Sequence, residues 1–85
     1  MLLAKGFAYL LFTTTIVAGN GLQPTIDTNS TPIPDKAGCV QAVADFVNEG
    51  AYKNYGTYGS SEIKLGDGLV MKKTAKCSKI GQGEG

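Results

Sequence analysis

Two carboxylates, Asp45 and Glu49, stand four residues apart. If that stretch is helical they share one face a turn apart, and paired carboxylates can hydrolyse glycosides. A chain of 85 residues has little surface for a substrate cleft, so the pair reads as the solvated side of a helix. Histidine is absent, which removes the commonest general base and the commonest metal ligand. Two cysteines alone leave a structural zinc site short of half its usual ligands. Gly66-Asp67-Gly68 lacks the longer glycine pattern and the Lys-Ser/Thr pair of a phosphate loop, and reads as a turn. This inventory predicts a non-enzyme with no catalytic residue, no metal and no cofactor.

The remaining distinctive residues suit contact. Tyr52, Tyr55 and Tyr58 cluster around Lys53, and tyrosine combines a large apolar ring with a polar tip. The same rings are equally suited to fill the core of a small protein without tryptophan. As one strand, this segment would put Tyr52 and Tyr58 on one face and Tyr55 on the other. Four lysines fall between 72 and 79, a pattern that first suggests a strand guarded against pairing with its own copies.

The N-terminus has the features of an export signal. Lys5 follows a short start, Gly6 to Val17 is apolar except for Thr13, Thr14 and Thr15, and Ala18-Gly19-Asn20-Gly21 offers small residues for cleavage. The apolar run falls short of the ~20 residues that span a bilayer as a helix. Residues 1–21 are therefore expected to be a removable signal peptide, which predicts secretion and no stable membrane insertion afterwards. Without Lys5 the chain carries seven lysines against seven acids, and this balance gives no general attraction to nucleic acid. Export would place Cys39 and Cys77 in an oxidising compartment, where they are expected to pair.

Behind the signal, residues 22–37 hold all three prolines and little apolar periodicity, and read as a flexible leader. Residues 38–80 form the expected disulfide-closed domain, and residues 81–85 a loose tail. Between Gly38 and Asn48 the pattern is ambiguous. With helical period, Cys39, Ala42, Val43, Phe46 and Val47 share a face, Asp35 can cap and Gly50 can stop; with period two, Val40, Ala42, Ala44 and Phe46 alternate with the rest. The clearest element is a hairpin around Gly66-Asp67-Gly68, from Glu62-Ile63-Lys64-Leu65 back through Leu69 to Cys77. In its second strand Leu69, Met71, Ala75 and Cys77 oppose Val70, Lys72, Thr74 and Lys76, an apolar face beside a cationic one.

A signal, a short leader, Cys39 followed by Val40-Gln41-Ala42-Val43-Ala44, the hairpin at Gly66-Asp67-Gly68 and Cys77 closing the last long strand resemble the Magnaporthe avirulence and ToxB-like (MAX) fungal effectors over residues 38–80. The resemblance implies an all-β fold, a small antiparallel β-sandwich with one disulfide, and no catalysis. It implies a secreted avirulence or virulence protein, at times translocated into host cells, that binds a host protein. Heavy-metal-associated domains of plant proteins or immune receptors are the implied partners, met partly along a strand edge. The partner-binding candidates are then Tyr52, Lys53, Tyr55, Tyr58, Lys64, Lys72 and Lys73. The alternative fold is α+β, one helix over about 37–48 on a three-stranded antiparallel meander, which suits an unrelated secreted antimicrobial, inhibitor or toxin.

Overall fold

A computed structural model describes residues 8–19 and 21–80. They form strands β1 (Tyr9–Gly19) and β2 (Leu22–Ile33), helix α1 (Lys36–Val47), then β3 (Ala51–Asn54), β4 (Tyr58–Gly66) and β5 (Leu69–Lys79). All strands join one antiparallel sheet in the order β2-β1-β5-β4-β3. The helix lies on one face of it.

The helical reading of 38–48 holds. The Asp35 carboxylate accepts a hydrogen bond from the Gly38 N–H at 2.7 Å, satisfying a donor that the first turn leaves unpaired. Cys39, Val43 and Val47 are fully buried, with Ala42 and Phe46 packed beside them, so the apolar stripe at helical spacing is the stripe that meets the sheet. The helix ends at Asn48, whose N–H returns to the Ala44 carbonyl at 3.0 Å.

With β3, β4 and β5 the helix gives the α+β arrangement of a helix on an antiparallel meander. Two further strands extend it. Among the described residues the strands make one sheet rather than the implied two-sheet sandwich, and the apolar segment after Cys39 is helix where an all-β fold would need strand. The Cys39–Cys77 disulfide is present and ties the first turns of α1 to β5.

The extra strands come from segments expected to be signal and leader. Tyr9–Gly19, inside the expected signal, is an interior strand, hydrogen-bonded to β2 on one side and β5 on the other. Thr13, Thr14, Thr15, Ile16 and Val17 are β-branched and favour this extended backbone. Asn20-Gly21 falls between the Gly19–Leu22 pair, a dipeptide strongly preferred in two-residue hairpin loops, and Gly21 has a positive φ of 72°. Leu22–Ile33, expected to be flexible, is β2 and is exposed along nearly its whole length. It tolerates Pro24 and Pro32 because an edge strand has only one neighbour to supply with N–H groups. Met1–Phe7 of the expected signal and the tail Gly81–Gly85 lie outside the described residues.

The core sits at one end of the sheet, where Tyr9 and Leu11 of β1 and Ala75 of β5 meet Cys39, Val43 and Val47. Gly59 of β4 is also buried there. A methyl on it would approach Val47 Cγ2 at 2.9 Å and Val43 Cγ1 at 3.0 Å, so the helix rests directly on the β4 backbone.

Candidate functional site

The helix divides the sheet into a covered and an open face. Side chains alternate across a pleated strand, and the buried positions Leu11, Ala75, Gly59 and Ser61 assign one parity to the helix side. The opposite parity, on the open side, is fixed by the strand register. One row across the sheet reads Ser30, Phe12, Lys76, Tyr58; the next reads Thr28, Thr14, Thr74, Ser60, Lys53; a third reads Ile26, Ile16, Lys72, Glu62, Ala51. Beyond them Ala18 is paired with Val70, and Val70 with Lys64.

These rows sort into two bands along the strands. On β2 and β1 the open face carries Phe12, Ile16 and Ile26, with Ile26 62% exposed and Phe12 also solvent-accessible. On β5, β4 and β3 it carries Lys76, Lys72, Lys64 and Lys53 with one acid, Glu62. Glu62 stands opposite Lys72, but one carboxylate cannot balance four ammonium groups, which repel one another. A shallow depression of about 320 Å³ lies in this band, bordered by Lys53, Ser60, Glu62, Lys72 and Thr74, with Ser61 and Lys73 in its lining. Two ammonium groups and two hydroxyls give it the donors to hold a carboxylate or another oxyanion.

The structure brings Lys53, Lys72 and Lys64 to this face and leaves Lys73 on the other. Lys73 Nζ lies 2.9 Å from Glu49 Oε1 and 4.7 Å from the centroid of the Phe46 ring. That side chain is only 13% accessible, engaged in clamping the end of the helix to β5. The tyrosines separate. Gly56, at φ 88°, turns the chain between β3 and β4, so 52–58 is not one strand. Tyr52 pairs with Ser61 on the helix side and Tyr58 with Lys76 on the open side, opposite faces where one was expected. Tyr55 is in the turn, 65% exposed, with its ring stacked on that of Tyr58 at 6.0 Å between centroids.

Phe12, Ile16 and Ile26 were outside the sequence-derived candidates, since they fall in the expected signal and leader. The signal that could have found them is the hairpin dipeptide Asn20-Gly21 between two threonine-rich extended runs. β3 pairs only with Gly59–Glu62, which leaves Ile63–Gly66 of β4 without an outer strand partner among the described residues. Lys64 flanks that short free edge.

The paired-carboxylate arrangement does not form. Asp45 is on α1 and its Oδ1 accepts from Gln41 Nε2 at 2.9 Å, whereas Glu49 lies past the helix end and bonds Lys73. Among the described residues no group of three potential metal ligands comes together. No helix in the described residues is long and apolar enough to cross a membrane. Compared with protein-family models, curated proteins and solved structures, the chain shows no match to any of the three.

Proposed function

We propose that this chain is a non-catalytic protein-binding domain, and in its finer form a secreted effector, similar to the MAX proteins, that acts on a host protein. The observation that carries the binding reading is the open face, with exposed Phe12 and Ile26 beside the lysines Lys53, Lys64, Lys72 and Lys76. An apolar surface rimmed by charge is the usual composition of a contact surface. The absence of histidine and the separation of Asp45 from Glu49 support a role without acid–base catalysis. The free edge of Ile63–Gly66 adds a place where a partner strand can be received, with main-chain hydrogen bonds giving affinity and Lys64 selectivity.

The effector form takes its partner from the resemblance, a heavy-metal-associated domain of a plant protein or immune receptor. Titrating the oxidised chain with such a domain, followed by amide chemical shifts, tests it. Saturable binding with shifts along Ile63–Gly66 and on the lysine band is expected, weakened by Lys64→Glu. No saturable binding would remove this partner class and with it the effector form.

A further inference from the structure

The sheet has a helix on one face and nothing among the described residues on the other, and layered folds bury a sheet's apolar positions against another element. We propose that the open face is the docking site for an acidic amphipathic helix of a partner protein, an inference that rests on the protein-binding reading above and names the partner's chemistry. The two bands run parallel to the strands. Phe12 and Ile16 are four residues apart on β1, as are Lys72 and Lys76 on β5, and at 3.4 Å per residue each pair spans about 14 Å. That is about two and a half helical turns. A helix laid along the boundary between β1 and β5 places an apolar stripe on Phe12, Ile16 and Ile26, and carboxylates on its flank over Lys72 and Lys76.

Charge selects this occupant. The face holds four lysines and one glutamate in a chain whose formal net charge is +1, so this face is net positive while the remainder of the chain is net negative. A second copy would set one lysine band against another. The chain's own ends beyond the described residues, 1–7 and 81–85, contain Lys5 and a single acid, Glu84, too little to complement the band. Single-stranded nucleic acid could use Phe12, Tyr58 and the lysines, but it leaves the aliphatic Ile16 and Ile26 uncovered and meets Glu62 with phosphate.

The probe is a fluorescent peptide of about 18 residues with leucine and glutamate at helical spacing, titrated by anisotropy with the full oxidised chain. The controls are a scrambled peptide of the same composition, vesicles containing phosphatidylserine, and a single-stranded DNA oligonucleotide. Saturable binding to the amphipathic peptide is expected, at least about tenfold tighter than to the scrambled one and weakening with salt. Lys72→Glu with Lys76→Glu should lower that affinity on the order of tenfold or more, and Phe12→Ser should lower it without changing charge. Lys72→Gln with Lys76→Gln provides the milder pair should charge reversal impair folding. Equal binding of the scrambled peptide, tighter binding of vesicles or DNA, or unchanged affinity in folded variants would overturn the proposal. If the amphipathic peptide fails to bind the parent chain while a heavy-metal-associated domain binds it saturably, this proposal fails while the protein-binding reading stands.

Discussion

Cys39 and Cys77 are 38 residues apart, and the bond between them restricts the unfolded chain more than it adds contact to the folded one. In the chain-entropy description, closing a loop of this length is worth roughly 3–4 kcal/mol. Replacing both cysteines by serine is expected to lower unfolding free energy by about that amount in urea, and an unchanged midpoint would show that the packed helix holds without it. Gly59 makes a complementary case. Its place against Val43, Val47 and the Lys53 carbonyl, 3.1 Å from where a Cβ would sit, predicts that Gly59→Ala costs about 1–3 kcal/mol by overpacking. The same urea titration reads it, and a neutral result would mean that α1 can lift off β4 freely.

At the scale of elements, the helix was legible because three signals agreed over one segment. Asp35 offered a cap, Cys39, Val43 and Val47 a stripe at helical spacing, and Gly50 a stop; the structure uses the cap and the stripe and ends the helix two residues before Gly50, at the C-cap Asn48. The β4–β5 hairpin was legible for a similar reason, its turn carrying Asp67 and Gly68 at φ 55° and 81°. The β1–β2 hairpin was not, because an apolar run ending in small residues satisfies a signal peptidase and a β-hairpin alike. Prolines added to the misreading of 22–33, since their restriction argues against a central strand and says nothing against an edge. The open face was hidden with them: two strands that supply its apolar band lay in segments assigned to removal and flexibility.

This placement makes processing a structural question. A chain beginning at Leu22 lacks the strand that joins β2 to β5. Such a chain is expected to have a weaker sheet signal in far-ultraviolet circular dichroism and a lower melting temperature than the full chain, since Tyr9 and Leu11 leave the core with it. Equal spectra and melting for the two would mean that β1 is dispensable and that removal of residues 1–21 leaves an intact domain.

On the scale of the whole molecule, the described residues span about 50 × 22 × 13 Å, a long thin plate rather than a sphere. The helix secures one end, where β1, β4 and β5 converge under Val43 and Val47. The far end is a single layer with solvent on both sides, so its hydrogen bonds are protected chiefly by their neighbours in the sheet. Open-face residues there, Ile16 and Ile26 among them, are presented on backbone that depends on the buried end for its position.

The edge location of β2 gives that plate an order of opening. β2 is bonded to β1 and only marginally touched by α1, so it can peel away while β1, β5 and the disulfide remain in place. Amide hydrogens of β2 are then expected to exchange with deuterium by a local route, at free energies well below global unfolding, while those at the centre of β5 exchange only when the whole domain opens. A protease added under native conditions would find its first cut between Leu22 and Ile33. The same event would strip Ile26 from the open face, so nicked protein would keep its helix and its disulfide while losing part of the apolar band.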